Sequence, residues 1–538
     1  MVIHHLKKEI MLILQNVTYR HPDKELLLED ISLTVNNHDK IALIGNNGSG
    51  KSTLLKIIAG QVQITAGQLK TGALPYYIPQ VFGQYNHLTI AQALQVADKI
   101  RALKEILDGN ITEDNLNLLE EDWTIERRCH EALRHWGLKD LELTRGMQTL
   151  SGGQKTKVFL AGISIHRPRL VLLDEPGNHL DNAGRELLED FIRSTRVTLI
   201  MVSHDRKLLN LLDRICELNE RGITVYGGDY DFYAGQKQME EDALELDLKS
   251  KEKVLRKARE KQRETMERQN RSDARGKRKQ ETSGLPTISM NTLRNTAERS
   301  TARIKSVHTE KIDGISGQLQ ALRKELPRMA GMKFGFDHSP LHKGKILFAA
   351  TGINFGYHQQ RLWADDLNFK ITSGERIALT GLNGSGKTTL IKIILGELQP
   401  RTGSVYRAAC KPVYIDQDYS LIDNRLNVYR QAQQFNRTAL QEHEVKSRLN
   451  HFLFAKQDWD KPCKALSGGE KMRLMLCLLA IGNRSPDMII LDEPTNNLDI
   501  QNIKILTAAI NEYEGTLIVV SHDADFPEQT GVSRRIRL

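Results

Sequence analysis

Cysteine is scarce in this chain, and long apolar runs are missing altogether. Of 538 residues only Cys129, Cys216, Cys410, Cys463 and Cys477 are cysteine, an odd number with no CxxC pair. This argues against a disulfide framework and predicts reduced thiols in a cytoplasmic protein. No run reaches 18 apolar residues, so no membrane-spanning helix is encoded. The opening "MVIHHLKKEI" is too polar for a secretory signal. A second methionine, Met11, stands directly before a strand-like run and is an alternative translation start, which would leave residues 1–10 as an extension. Hydrophobic content of 40% and charged content of 27% fit a globular protein, and the length predicts roughly three domains.

Charge is plentiful but unevenly spread. The formal net charge is +9. Residues 249–279, "KSKEKVLRKAREKQRETMERQNRSDARGKRK", hold fourteen Lys and Arg against five Asp and Glu. That one stretch equals the whole excess, so the rest of the chain is close to neutral. Such a segment suits an anionic partner, but charge alone does not name one.

The chain repeats itself. "IALIGNNGSGKSTLLKIIAG" at 41–60 returns as "IALTGLNGSGKTTLIKIILG" at 377–396. "LSGGQK" at 150–155 returns as "LSGGEK" at 466–471, "LVLLDEPGNHLD" at 170–181 as "MIILDEPTNNLD" at 488–499, and "LIMVSHD" at 199–205 as "LIVVSHD" at 517–523. Four blocks in one order describe two copies of a single domain. The spacing implies about 20 additional residues in the first copy, within 84–135, where the pattern is helical. Roughly residues 236–344, between the copies, do not repeat.

Each block carries a chemistry. Gly45-x-x-x-x-Gly50-Lys51-Ser52 and Gly381-x-x-x-x-Gly386-Lys387-Thr388 are P-loops, each placed between a buried-strand run and a helical pattern. The glycines let backbone N–H groups approach phosphates at a helix N-terminus. Lys51 and Lys387 would reach the β- and γ-phosphates of ATP, and Ser52 and Thr388 would ligate Mg²⁺. Asp174 and Asp492 end apolar strands and suit the same metal; Glu175 and Glu493 beside them suit polarisation of an attacking water. His204 and His522 both follow the Asp of their copy by 30 residues, as a sensor of the γ-phosphate would. Gln80 and Gln417 end strand-like runs and are candidates for orienting water or Mg²⁺. Tyr19 and Phe355 occupy matching positions and are candidates for stacking on adenine, with Tyr357 competing for the second role.

With the LSGG(Q/E) block added, residues 11–235 and 345–538 resemble the ATP-binding-cassette ATPases. The resemblance implies an α/β fold of two P-loop NTPase domains, bounded at 1–235 and 345–538, joined by a helical linker at 236–344. It further implies head-to-tail pairing, in which the LSGG of one copy closes over ATP held by the P-loop of the other. One composite site would comprise Gly45, Asn46, Asn47, Gly48, Ser49, Gly50, Lys51, Ser52 and Thr53 with Gln80, Asp174, Glu175 and His204, closed by Ser467, Gly468, Gly469 and Glu470. The other would comprise Gly381, Leu382, Asn383, Gly384, Ser385, Gly386, Lys387, Thr388 and Thr389 with Gln417, Asp492, Glu493 and His522, closed by Ser151, Gly152, Gly153 and Gln154. Both keep the glutamate, so both are expected to hydrolyse ATP. Two residues depart from the family's pattern: Glu470 stands where glutamine is usual, and Gly177 where copy two has Thr495.

Tandem cassettes with D-E-P-x-N-x-L-D boxes, a charged linker and no membrane span resemble in particular the ABC-F family, whose members act on the ribosome. Residues 240–275 contain no Pro or Gly and read as one basic helix. Gly276, Gly284 and Pro286 then break it, and a second helix is expected over about 292–326, with Ile312, Ile315, Leu319, Leu322 and Leu326 as a heptad seam. The expectation is an antiparallel helical hairpin, with its tip near 276–291 and a basic face suited to RNA phosphates. By resemblance the hairpin would enter the ribosomal E-site, its tip directed at the peptidyl-transferase centre and transfer RNA, in a monomer whose two cassettes pair internally. Such a protein would be a translation factor or an antibiotic ribosome-protection factor. Two alternatives belong to other classes. The ATPase subunit of an ABC transporter would leave the linker without a task. A DNA-associated ABC ATPase usually inserts its coiled coil within one cassette.

Overall fold

The computed structural model describes residues 9–23, 26–219, 221–282, 287–325, 341–357, 360–382, 384–437, 439–482, 486–496, 498–521 and 525–538. The chain divides into two compact units, Met1–Tyr233 together with Lys333–Leu538, and Ala234–Met332. The fold is α/β, with the two P-loop NTPase cassettes in the first unit and a pair of long helices in the second.

In the first cassette the apolar pentads Lys40–Ile44, Leu170–Asp174 and Thr198–Val202 form the middle of a six-stranded sheet. Their order runs from Pro75–Ile78 through Leu170–Asp174, Thr198–Val202 and Lys40–Ile44 to Arg214–Asn219 and Gly222–Gly227. All pairings are parallel except the last. Leu170–Asp174 and Thr198–Val202 are buried at every position. This is why they read as continuous apolar runs rather than alternating ones. Truncating Leu172 or Ile200, both fully buried, would cost about 2–5 kcal/mol. A second, antiparallel sheet is made by Leu26–Asn36, Ile10–Arg20 and Ala66–Thr71, and its apolar face shares one core with the helix Lys51–Ile58.

The second cassette repeats the plan. Pro412–Ile415, Met488–Asp492, Thr516–Val520, Arg376–Thr380 and Arg534–Arg537 form a parallel sheet in that order. Between its first strand and the helix Gly468–Ile481 lie two helices, Val428–Phe435 and Glu442–His451. The corresponding stretch of the first cassette holds four: Ile90–Ala93, Ala97–Leu107, Glu113–Leu119 and Ile125–His135.

The unit Ala234–Met332 contains most of the helix Tyr230–Thr282 and all of Thr287–Glu325. At ~1.5 Å per residue they are roughly 80 and 58 Å long. Both exceed the expected spans. Gly276 does not break the first helix, which continues to Thr282. One glycine costs only about 1 kcal/mol in a helix, too little to end one of 53 residues. Gly284 and Pro286 lie outside the described residues. The two helices pair antiparallel: Lys251 Nζ donates to Gln318 Oε1 at 3.0 Å, and Leu319 is 3% exposed between them. Ile312, Ile315 and Leu322 are half-buried; Leu326 lies outside the described residues. Lys253, Arg256, Lys257, Arg259, Lys261 and Arg263 are at least partly in solvent, and intrahelical contacts such as Arg263–Glu267 at 3.1 Å neutralise only part of this face.

Candidate ATP sites

A parallel sheet ends all its strands at one edge, so the loops leaving that edge converge there. In the first cassette Ile44 leads into the P-loop, Ile78 to Gln80, Asp174 to Glu175 and Val202 to His204. Gly50 holds the start of the P-loop helix in the left-handed region, at φ 94°. A Cβ there would lie 2.7 Å from Leu28 Cδ2, so only glycine fits. Asn47, Gly48, Gly50, Lys51, Ser52 and Thr53 line a cavity of about 460 Å³ together with Gln80, Asp174, Glu175 and His204.

The polar groups are already organised. Lys51 Nζ donates to the carbonyls of Gly45 at 2.7 Å and Asn46 at 2.9 Å. Ser52 Oγ donates to Asp174 Oδ1 at 3.1 Å. Burial lowers the Lys51 ammonium and raises the Asp174 carboxyl. Burial, then the adjacent Asp174, pushes Glu175 up to about 8. Burial, then Lys51, pushes His204 down to about 3. His204 Nε2 lies 3.3 Å from Glu175 Oε1, and with the imidazole neutral this is a polar contact rather than an ion pair. Glu175 and Glu493 both sit in the left-handed region, at φ 51° and 50°. Such a backbone costs a non-glycine residue about 1–3 kcal/mol, and it is held by hydrogen bonds from the two amides to Val202 O and Val520 O.

The second cassette builds the same edge. Lys387 Nζ donates to Gly381 O at 2.8 Å and Leu382 O at 3.1 Å, and burial lowers Lys387 and raises Asp492. Gly384, Gly386, Lys387, Thr388, Thr389, Gln417, Asp492 and Glu493 line a cavity of about 590 Å³.

Each cavity is completed by the opposite copy. Ser467 and Gly468 line the first, and Ser151, Gly152 and Gly153 line the second. The serines are N-caps: Ser151 Oγ accepts from Gln154 N at 3.3 Å and Ser467 Oγ from Glu470 N at 3.3 Å. Gln154 Oε1 and Glu470 Oε2 return the contact by accepting from the serine amides, at 2.9 and 2.8 Å. Glu470 therefore caps as the glutamine does, and Lys461 Nζ at 2.8 Å balances its charge. Burial favours its neutral form, but these donors hold its carboxyl below the usual range. Asn47 N donates across the copies to Asp499 Oδ2 at 2.9 Å. The two helix N-termini thus face the opposite P-loops, an arrangement that suits a bound anion.

Most of the residues expected at the sites converge there. Gly45, Asn46, Gly381 and Leu382 contribute backbone carbonyls, Ser49 and Ser385 lie inside the loops, and Gly469 packs on Asn502. Asn383 and His522 lie outside the described residues. The adenine-stacking expectation shifts. Tyr19 and Phe355 pack against the cassette cores, whereas His21 and Tyr357 line the cavities. Tyr357 is the competing candidate of the sequence reading, and His21, at the matching place in the repeat, is the residue that reading missed. Asn178 and His179, which line the second cavity, were likewise missed.

Comparison with known proteins shows the family. A family model described as ABC transporter matches residues 28–178 and 364–496. The putative ATP-binding protein YdiF of Bacillus subtilis is 31% identical over 96% of this chain and 78% of its own. The probable ATP-binding protein YbiT of Escherichia coli O157:H7 is 31% identical over 96% and 94%. The chain belongs to the ABC-F family of tandem ATP-binding-cassette ATPases. The ATP-binding protein Uup of Haemophilus influenzae is also similar to this ABC-F ATPase, at 30% identity over 94% of the chain and 75% of its own. Among solved structures, the archaeal ribosome recycling factor aABCE1, in complex with the ribosomal stalk protein aP1, has a TM-score of 0.60 at 20% identity. It covers 96% of this chain and 86% of its own, and shows a shared fold. Among the described residues, no helix is long and apolar enough to cross a membrane.

Proposed function

We propose that this ABC-F ATPase acts on the ribosome, with residues 1–235 and 345–538 as paired cassettes and 236–344 as an RNA-contacting linker. The observation that carries this reading is the basic helical hairpin, whose cations lie in solvent along one helix where phosphates would meet them. Lys and Arg in this array supply affinity and salt dependence more than sequence readout. The likeness to a protein named as a ribosome recycling factor agrees with it. Placement in the E-site, with the hairpin tip toward the peptidyl-transferase centre, is the finer form of the proposal.

Within each cassette the residues have definite tasks. Lys51 and Lys387 exchange their loop carbonyls for the β- and γ-phosphates. Ser52, Asp174 and Gln80, and Thr388, Asp492 and Gln417, supply hard oxygen donors, which fit Mg²⁺. Mg²⁺ held by one or two protein carboxylates ordinarily completes its shell with substrate phosphates and water. When bound, the ion neutralises charge that develops on the phosphate oxygens. Glu175 and Glu493 orient the attacking water and accept its proton, a task that the raised proton affinity of Glu175 assists. Water oxygen bonds to the γ-phosphorus as the bond to ADP breaks. His204 lines the first cavity and faces the γ-phosphate there, and the LSGG serines of the opposite copy close over it; the repeat gives His522 the same task in the second copy. ATP therefore favours the closed pair, and hydrolysis releases it.

The test is co-sedimentation of the full-length Glu175→Gln, Glu493→Gln double variant with ribosomes across a salt series. ATP-dependent pelleting that weakens with salt is expected. Replacing exposed Lys and Arg of 249–279 should reduce the salt slope by about 0.7–0.9 per lost phosphate contact. Failure to pellet at low salt with ATP bound would remove the ribosome reading.

A further inference from the structure

Two tyrosines not yet given a task occupy the same place in both cassettes. Tyr77 lies on the strand Pro75–Ile78, which pairs parallel with Leu170–Asp174 so that Tyr77 stands opposite Leu172. Tyr414 stands opposite Ile490 on Met488–Asp492 in the same way. In each case the aspartate is two residues further along the partner strand, on the same face, within diagonal reach of a long side chain. The hydroxyls make that reach. Tyr77 OH donates to Asp174 Oδ2 at 3.2 Å, and Tyr414 OH to Asp492 Oδ2 at 2.8 Å. The other oxygen of Asp174, Oδ1, takes the Ser52 hydroxyl.

We propose that Tyr77 and Tyr414 are positioning residues for Mg²⁺: each fixes one carboxylate oxygen of the strand-end aspartate so that the other is presented to the metal. The same short strand then delivers Gln80 or Gln417, three residues on, to the cavity, so one element sets two of the proposed metal donors. A carboxylate held by one hydrogen bond has one orientation to offer, and a metal that demands near-octahedral geometry depends on it. This inference rests on the assignment of Asp174 and Asp492 as metal ligands.

The test measures binding, not turnover. The affinity of full-length protein for the fluorescent nucleotide mant-ATP is compared in Mg²⁺ and in EDTA, with the other site disabled by Lys387→Ala (to read Tyr77) or Lys51→Ala (to read Tyr414). Tyr77→Phe and Tyr414→Phe keep the ring and remove only the hydroxyl. Each is expected to reduce the Mg²⁺-dependent gain in affinity about tenfold, with affinity in EDTA and thermal stability unchanged. A purely structural tyrosine would shift the EDTA affinity or the melting temperature and leave the Mg²⁺ gain intact, which would overturn the proposal. Asp174→Asn is the control. If it abolishes the gain while Tyr77→Phe does not change it, the tyrosine assignment is wrong and the ligand assignment stands. If Asp174→Asn leaves the gain intact, the ligand assignment fails and the tyrosine proposal with it.

Discussion

At the first ATP site the open end of the cavity carries His21, and the helix that closes it begins Ser467-Gly-Gly-Glu470; at the second site the same places carry Tyr357 and Ser151-Gly-Gly-Gln154. The phosphate-facing parts hardly differ. Both lysines bond the carbonyls of their own loop, both glutamates sit at a strained φ near 50°, and both aspartates accept from a tyrosine and end a fully buried strand. Variation is tolerated where the surroundings can compensate: Glu470 has Lys461 beside it, while Gln154 is neutral and needs no such partner. What remains constant is what the strand ends position; what varies is what lies around the nucleotide.

The largest effect that could break this comparison is loss of the glutamates. Glu175→Gln with Glu493→Gln is expected to lower ATPase turnover by about 10²–10⁴-fold, and each single variant to leave one working site. Phosphate release from the two single variants reads the sites separately, and a single variant as inactive as the double would show that the sites do not act alike.

Next in size are the closing glycines. A Cβ at Gly153 would lie 2.5 Å from the His179 carbonyl oxygen, and one at Gly469 would lie 2.1 Å from Asn502 Nδ2. Asn502 is tied to Asp499 and Arg473, so neither neighbour yields easily. Gly153→Ala and Gly469→Ala are each expected to cost about 1–3 kcal/mol in denaturant unfolding. Full stability in either would show that its closing helix has room the other lacks.

A pH series sharpens the first site. The Glu175 carboxyl titrates near 8 in the fold against 4.5 ordinarily, so between those values the folded state binds more protons and stability falls as pH rises. Glu175→Gln should therefore stabilise the nucleotide-free protein at pH 8, by on the order of a few kcal/mol, and have little effect near pH 4.5. His204 titrates near 3 against 6.5, so it adds stability as pH rises from 3 to 6.5 and is indifferent above that. Melting curves of the wild type and Glu175→Gln at the two pH values check the sign.

The smallest expected effect is at Gly177. A Cβ there meets Leu208 Cδ1 at 3.4 Å, ordinary contact, but the position is buried, so Gly177→Thr should cost about 1 kcal/mol, the low end for added atoms at a packed site. Its turnover, read in the Glu493→Gln background, tells whether the residue that copy two carries at this place alters the first site.

Much of this was legible in the sequence because the repeat served as its own control. The P-loop strands Lys40–Ile44 and Arg376–Thr380 end where the apolar runs end, and the buried pentads that end in Asp174 and Asp492 read as strands. The adenine candidates were less legible. Aromatic character pointed to Tyr19 and to Phe355 or Tyr357, but which of them meets the core depends on pairing with the neighbouring strands, and Tyr19 pairs with Leu28 across a bulged register. The linker helices were legible in kind but not in length, since propensity registers each glycine locally while a long paired helix absorbs it.

Sequence alone determined the chemistry: which lysines, carboxylates and amides the protein owns, and that it owns them twice. It also determined that one helix of the linker is basic, because charge is a property of composition. Tertiary structure alone decided which of these groups meet. The parallel sheets bring four separate loops to one edge, the pairing of Tyr77 with Leu172 and of Tyr414 with Ile490 carries a hydroxyl to each aspartate, and the facing of the two copies puts each serine helix over the other's P-loop. Those are long-range relations set by strand register and packing, and no local pattern of residues encodes them.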